Sequence, residues 1–132
     1  MSATMSAIVD IGISKQIGKY SDAVEVPRSA RWLFISGTPG LTPEGALPKT
    51  FEGQAEQAWK NVLEILKQAG MGREHLVKIA QYLVRAEDIS AFGAVRGRML
   101  GDCRPASMLL VVPALVRPDF LIEVEAYAAA PE

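Results

Sequence analysis

The sequence predicts an α+β domain whose elements follow in the order βββαβαββ, and three observations support this prediction. The chain has 132 residues, the common size of one domain, and 49% of them are hydrophobic, which is enough to form a core. Two segments repeat apolar residues at intervals of three and four, as amphipathic helices do. Six shorter segments are rich in β-branched residues and bounded by turn residues, as strands are. We therefore expect a single domain over residues 1–132.

The two predicted helices are marked by spacing and by the residues at their ends. The first follows Thr50, a possible N-cap, and ends before Gly70. The second begins near Asp88, also a possible N-cap, and ends before Gly101. Both apolar stripes are expected to pack in the core; they are Ala55, Ala58, Trp59, Val62, Leu63, Leu66 and Ala69 in the first helix and Ile89, Phe92, Val95 and Met99 in the second.

The six predicted strands occupy residues 7–13, 23–26, 32–36, 77–84, 107–112 and 120–128. The Gly- and Pro-containing stretch of residues 37–49 is predicted to be a loop. A second Pro-containing stretch, Val-Pro-Ala-Leu-Val-Arg-Pro-Asp, links the final two strands.

The last two strands predict an oligomer. From Phe120 to Ala128 the even positions are all apolar, whereas the odd positions are Leu121, Glu123, Glu125 and Tyr127. Residues 107–112 are apolar in both alternating sets, so this strand is expected to be buried on both faces. Two helices can cover only one side of the sheet, and a large apolar surface is unusual on a soluble monomer. We therefore expect other copies of the chain to cover the second side.

The composition argues against several classes of function. The 14 Lys and Arg residues against 15 Asp and Glu give a net charge of −1 and a pI near 5.9, so no nucleic-acid partner is expected. A structural zinc site needs about four Cys or His ligands, and the chain has only Cys103 and His75. We interpret Cys103 as a half-buried filler and His75 as a surface residue. No nucleotide-binding or metalloprotease motif is present, and no cofactor or metal is predicted.

The beginning of the chain, Met-Ser-Ala-Thr-Met-Ser-Ala-Ile, has neither a basic region nor a long apolar run. A secretory signal has both. We therefore expect a cytoplasmic protein without a membrane partner.

Five segments, taken in order, resemble the RidA (YjgF) family of enamine and imine deaminases. They are Ile-Gly-Lys-Tyr-Ser-Asp-Ala-Val from residue 17, Leu-Phe-Ile-Ser-Gly-Thr-Pro-Gly-Leu from residue 33, Gln-Ala-Glu-Gln-Ala-Trp-Lys-Asn-Val-Leu from residue 54, Val-Lys-Ile from residue 77 and Ile-Glu-Val-Glu-Ala from residue 122. The resemblance covers almost the whole chain after residue 15. It implies a chorismate-mutase-like fold, assembled as a homotrimer with a central sheet barrel and a ligand cleft at each subunit boundary.

The same resemblance implies a chemistry and part of a site. Family deaminases add water across a C=N bond and release ammonia, and their substrates carry a carboxylate. The family glutamate that positions water corresponds to Glu123, and the tyrosine of the I-G-x-Y segment corresponds to Tyr20. The family Ser-Gly turn, whose backbone defines the pocket, corresponds to Ser36 and Gly37. Tyr20 has an alternative role, which is to cap the sheet edge and bond a loop.

The chain departs from the family at the arginine that binds the substrate carboxylate. The family has Pro-Ala-Arg-Ser before the penultimate strand, whereas this chain has Arg104-Pro-Ala-Ser-Met. Alignment on Ser107, a further candidate binding residue, puts Ala106 where the arginine belongs. The Asn of the second helix is likewise replaced by Arg96.

Two interpretations of the arginines are open. Arg104, Arg96 or both restore a cationic anchor for an acidic ligand, displaced from the family position. Alternatively, both are solvated or paired with Asp102, Glu123 or Asp119.

Three functions follow from these observations. The first is hydrolytic deamination of a small enamine or imine carboxylate, with Glu123 positioning water. The second is non-catalytic binding of a small carboxylate, such as a 2-oxo acid, in the same clefts. The third is RNA cleavage or inhibition of translation, which the acidic pI and the single histidine disfavour.

Overall fold

A computed structural model describes residues 6–132 and confirms the predicted order of strands and helices. The first five residues, on which the interpretation of the N-terminus partly rests, lie outside the described residues. The elements are β1 (Ala7–Val9), β2 (Ala23–Glu25), β3 (Arg31–Pro39), α1 (Phe51–Gln68), β4 (Leu76–Leu83), α2 (Ile89–Leu100), β5 (Ala106–Val111) and β6 (Ile122–Ala130). Neither helix is both long and apolar enough to cross a membrane.

The strands form two sheets. β1 and β2 pair as a small antiparallel hairpin, and the main sheet has the order β3-β6-β4-β5. In the main sheet, β4 and β5 are parallel and the other neighbours are antiparallel. Helix α1 packs on β3 and β6, and α2 packs on α1, so both helices lie on one side. The largest fully buried side chains are Trp59, Phe92, Leu66, Ile79, Leu83, Leu100 and Ile122.

The two helices begin differently. Thr50 is the N-cap of α1 as predicted, since its Oγ1 accepts a hydrogen bond from the Gly53 backbone N–H at 3.0 Å. Asp88 stands at the N-cap position of α2 as predicted, but its side chain makes no cap hydrogen bond. Its carboxylate accepts a hydrogen bond from Arg85 Nε at 2.8 Å and makes no cap bond, because Asp88 ends a 3₁₀ turn that leads directly into the helix.

The alternation along β6 confirms the two predicted faces. Ile122, Val124, Ala126 and Ala128 are fully buried under the helices. The odd residues lie on the other side of the main sheet, which we call the open face because neither helix lies on it; Val24 of β2 and Val26 border it beside Ala106. The open face carries Trp32 and Phe34 of β3, Lys78 and Tyr82 of β4, Ala106, Met108 and Leu110 of β5, and Glu123, Glu125 and Tyr127 of β6.

The prediction that the penultimate strand is buried on both faces is wrong for the single chain. β5 is an edge strand, and the helices lie mainly over β3 and β6. Met108 and Leu110 on the open face are 40% and 44% exposed, and Val111 on the helix side is 45% exposed.

Two predicted strand boundaries are wrong by more than two residues. The first strand ends at Val9 rather than residue 13, because the backbone N–H groups of residues 11–14 donate to the Asp22 carboxylate instead of to a strand. β3 continues to Pro39 rather than ending at Ser36. Ser36 and Gly37 are therefore not a turn; they lie where the β3–β6 register shifts between Ile35 and Thr38, which is a β-bulge.

Candidate functional site

The predicted site residues lie in two groups at opposite ends of the main sheet. Glu123 is paired with Tyr82, which in turn is paired with Leu110 of β5. Ala106 is paired with Lys78, four residues from Tyr82 along β4. At roughly 3.3 Å per residue, this separation is about 13 Å. One chain therefore does not bring Glu123 together with Tyr20, Arg96, Arg104 and Ala106.

The first group is built around the bulge in β3. The extra residues at the bulge place Gly37 so close to β6 that a Cβ atom there would overlap Oε1 of Glu123. The neighbouring Thr38 hydroxyl donates to the Ser36 carbonyl at 2.8 Å and holds the bulged backbone in place. Any larger residue at position 37 would force the Glu123 carboxylate to move.

A concavity of about 370 Å³ lies beside this carboxylate. Its lining residues are Gly37, Tyr82, Val112, Ala114, Leu115, Glu123 and Glu125. The loop after β5 and Tyr82 were not among the predicted site residues. The sequence of β4 does not indicate that Tyr82 faces a pocket, because the residues that surround it there, Glu123 and the loop after β5, are brought beside it only by folding. A carboxylate at an open concavity can accept a hydrogen bond and a proton from water.

The second group forms where the segment of residues 19–21 runs beside the start of β5. Ser21 pairs in parallel with Ala106, and its backbone N–H donates to the Pro105 carbonyl at 3.2 Å. The Ser21 hydroxyl also bonds to the Arg104 carbonyl. The backbone of Tyr20 therefore lies beside the start of β5. Ala106 lies in a concavity of about 350 Å³ on the open face, together with Lys78, Met108, Glu125 and Tyr127.

Arg104 is paired with a carboxylate. Its Nη2 donates to Oδ2 of Asp10 at 2.7 Å and to the Tyr20 carbonyl at 3.2 Å. Pairing was one of the two predicted alternatives, but the partner is none of the three carboxylates considered. Asp102 is bonded to Lys19 at 2.9 Å and Asp119 to Arg117 at 3.0 Å, and Glu123 lies at the other end of the sheet.

Arg96 differs from Arg104. Its Nη2 donates to the Lys19 carbonyl at 3.0 Å, and among residues 6–132 no carboxylate lies within 4.0 Å of its guanidinium. Burial lowers the pKa of Arg96 below its ordinary value.

Ser107 points away from the open face. Its Oγ accepts a hydrogen bond from Nε2 of Gln81 at 2.9 Å, and Gln81 is buried on the helix side of the sheet. The two neighbouring candidates, Ala106 and Ser107, therefore lie on opposite faces, as alternation along a strand requires.

Cys103 lies as sequence analysis predicts, whereas His75 is half-buried rather than a surface residue, with 25% of its side chain exposed. His75 accepts a hydrogen bond from the Gly72 backbone N–H at 3.0 Å through Nδ1. Cys103 is half-buried, and this burial raises the pKa of its thiol. Within residues 6–132, no group of three His, Cys, Asp or Glu side chains is arranged to hold a metal ion.

Two aspartates that sequence analysis missed hold the N-terminal segment beside Arg104. The Asp22 carboxylate accepts backbone N–H groups from Ile11 at 2.6 Å, Gly12 at 3.1 Å and Ser14 at 2.7 Å. The Asp22 backbone N–H donates to Oδ1 of Asp10 at 2.9 Å. An aspartate on each side of a hairpin loop is a turn signal. The sequence alone does not show that residues 10 and 22, twelve positions apart, come into contact.

The family model described as Endoribonuclease L-PSP matches residues 13–130. The 2-iminobutanoate/2-iminopropanoate deaminase of Mus musculus is 35% identical over 114 residues, 85% of this chain and 82% of that protein. A RutC family protein of Pyrococcus horikoshii is 32% identical over 116 residues, 86% of this chain and 89% of the relative.

Solved structures of Rid proteins share the fold of this chain. A conserved Rid family protein of unknown function, YyfB from Yersinia pestis, superposes with a TM-score of 0.83 at 28% identity, covering 95% of this chain and 98% of that chain. RidA from the Antarctic bacterium Psychrobacter superposes with a TM-score of 0.71 at 31% identity, covering 85% and 89%.

We predict that Asp22 contributes less to the stability of the fold at acidic pH. The backbone N–H of Ile11, followed by those of Ser14 and Ile13, lowers the pKa of Asp22 from 3.8 to about 2. A depressed pKa in the folded state stabilises the fold fully above 3.8, and this stabilisation is lost as the pH falls towards 2. The difference in free energy of unfolding between the wild type and Asp22→Asn, measured by urea denaturation, should therefore narrow over that interval. A difference that stays constant with pH contradicts the assignment.

Proposed function

The chain belongs to the RidA/YjgF family, to which the Endoribonuclease L-PSP model corresponds, and on this premise we propose that it deaminates a small enamine or imine carboxylate by hydrolysis. Relatives at 34–35% identity are named 2-iminobutanoate/2-iminopropanoate deaminases. The observation that carries the proposal is the Glu123 carboxylate against the β3 bulge, beside a concavity of about 370 Å³.

The proposed reaction needs one proton-accepting group. A water hydrogen-bonded to Glu123 attacks the imine carbon, and the C=N electron pair moves to nitrogen. Glu123 accepts a proton from the attacking water and passes it to the nitrogen, which gives a carbinolamine. Glu123 then accepts the hydroxyl proton of the carbinolamine and passes it to the amino nitrogen, so that the C–N bond breaks, ammonia leaves and the C=O bond of a 2-oxo acid forms. Gly37 leaves open the space that the carboxylate occupies, since a Cβ atom there would overlap its Oε1.

We further propose that the cleft forms between subunits of a homotrimer. Glu123 and Ala106 lie about 13 Å apart along the sheet of one chain, which is longer than an imino acid of three or four carbons. The open face also exposes aromatic and aliphatic side chains; Phe34 is 71% and Trp32 is 47% exposed. Packing open faces against each other would bury these side chains and bring Glu123 of one copy towards the Tyr20 end of the next.

A second candidate function is carboxylate binding without catalysis. It is favoured by Ala106 in the place of the family arginine, which the Asp10-paired Arg104 does not replace, because a carboxylate that is held elsewhere in the cleft need not align its reacting carbon with a water on Glu123. Under this alternative the chain binds 2-oxo acids and does not accelerate ammonia release. RNA cleavage is the least favoured function, since the net charge is −1.

The trimer predicts a defined mass in sedimentation. At micromolar loading the wild type should sediment at three times 14.3 kDa. Phe34→Glu should sediment as the monomer, because a charge would have to be buried in the interface. Since Phe34 is exposed in the single chain, the substitution should change the stability of the monomer little. Ile65→Glu, on the outer side of α1, is the control and should stay trimeric. Wild-type monomers at this loading contradict the proposed cleft.

The deaminase proposal predicts that Glu123→Gln loses activity. Imines are generated in situ from serine or threonine by a dehydratase, and ammonia release is followed with and without the protein. Loss of a positioned proton acceptor should lower the catalysed rate by about 100-fold or more. Glu64→Gln, which removes an exposed carboxylate from α1, is the matched control and should keep the wild-type rate.

Binding measurements alongside this assay distinguish the candidate functions. No acceleration by the wild type with any imine, together with saturable binding of 2-oxo acids, supports the binding function and contradicts the deaminase. RNA affinity that falls steeply between two salt concentrations would support the nucleic-acid function instead.

The bulge predicts that Gly37→Ala impairs the same reaction. The added Cβ would overlap Oε1 of Glu123, so the carboxylate must move. We expect kcat to fall by about 10-fold or more, since a displacement of about 1 Å at a catalytic group has effects of this size. Gly93→Ala in α2 is the control, because nothing lies within 4 Å of its Cβ position. A Gly37→Ala protein with wild-type kcat shows that the position of Glu123 does not limit the reaction.

A further inference from the structure

Tyr82 is a polar residue at the concavity beside Glu123 that the proposed reaction does not use. It lies on β4 directly opposite Glu123 of β6, and both residues line this concavity on the open face. Directly paired residues of antiparallel strands have Cβ atoms about 4.5–5.5 Å apart on the same face of the sheet. The Tyr82 hydroxyl and the Glu123 carboxylate can therefore contact the same small ligand.

The hydroxyl of Tyr82 is free to bind such a ligand. Tyr82 is half-buried, and no side-chain hydrogen bond within residues 6–132 involves its hydroxyl. The hydroxyl oxygen is not among the buried polar atoms of this part of the chain that lack a partner, so it reaches solvent. The preceding residue, Gln81, is in contrast bonded on the helix side to Ser107 and to the Met108 carbonyl.

The other side chains around the concavity do not duplicate this group. Glu123 and Glu125 are carboxylates, which only accept hydrogen bonds when they are ionised. The loop after β5 contributes apolar side chains to the wall. Beside ionised carboxylates, Tyr82 is thus the one lining side chain from residues 6–132 that can donate a hydrogen bond.

The proposed reaction has an atom at which a donor lowers the barrier. When water attacks the imine carbon, the C=N electron pair moves onto nitrogen, and Glu123 passes a proton to this new pair. The nitrogen also carries a lone pair in the plane of the imine, which can accept a hydrogen bond throughout the addition. A donor at an atom on which electron density develops is bound more strongly in the transition state than in the ground state, so it raises kcat.

We propose that the Tyr82 hydroxyl donates a hydrogen bond to the imine nitrogen while Glu123 positions the water. The inference rests on the proposed function, because it assigns a second catalytic residue to the same concavity. Tyr82 keeps its own proton, and the proton that reaches the nitrogen comes from water through Glu123. The two residues thereby orient the C=N bond, with its carbon facing the water on β6 and its nitrogen facing β4.

The test is Tyr82→Phe, which removes the hydroxyl and keeps the ring. Ammonia release is measured with imine generated in situ from threonine, at several imine concentrations set by the amount of dehydratase. The kcat of the variant should fall by about 10-fold or more, as for one hydrogen bond that strengthens in the transition state, and KM should change by less than about threefold. Ser90→Ala, which removes an exposed hydroxyl from α2, is the control and should keep both constants.

Sedimentation and urea denaturation show whether the hydroxyl acts on the substrate or through the fold. The mass and the free energy of unfolding of Tyr82→Phe should match those of the wild type. An unchanged kcat, or a lower kcat that accompanies a loss of mass or of stability, overturns the assignment to Tyr82, while ammonia release by the wild type still supports the proposed function. A wild type that accelerates ammonia release from no imine overturns both.

Discussion

The alternation of side chains along β6 is the constraint on which the rest of the structure depends. Its even residues are fully buried under α1, and its odd residues carry Glu123, Glu125 and Tyr127 onto the open face. A register slip of one residue would bury both carboxylates and expose the core side chains, so the hydrophobic effect fixes the position of the site. Core and candidate site are thus two faces of one strand.

The bulge in β3 refines this arrangement from the neighbouring strand. The register between β3 and β6 shifts between Ile35 and Thr38, and this shift brings the backbone of Gly37 close to the Glu123 carboxylate. A side chain at this position would meet the carboxylate. Bulges are common where a strand has to redirect a functional side chain. The Ser-Gly pair is therefore explained by the space that the carboxylate needs, and not by a chain reversal.

The N-terminal segment determines which arginine is available. Asp22 gathers the backbone N–H groups of residues 11–14 and positions Asp10, which then pairs with Arg104. Arg96 receives no such partner and stays on the Lys19 carbonyl. Two cations that look equivalent in the sequence consequently differ in their capacity to bind an anion, because a hairpin loop neutralises one of them.

The sequence by itself determined the order of the elements, the N-cap at Thr50, the two faces of β6 and the family, because each depends on local periodicity or on contiguous residues. It did not determine the cap of α2, the ends of β1 and β3, or the partner of Arg104. These depend on which polar groups meet after folding: Arg85 with Asp88, Asp22 with residues 11–14, and Asp10 with Arg104 across 94 positions of the chain. Hydrogen bonds and ion pairs act over about 3 Å in space, and only the tertiary structure brings such distant residues within that range.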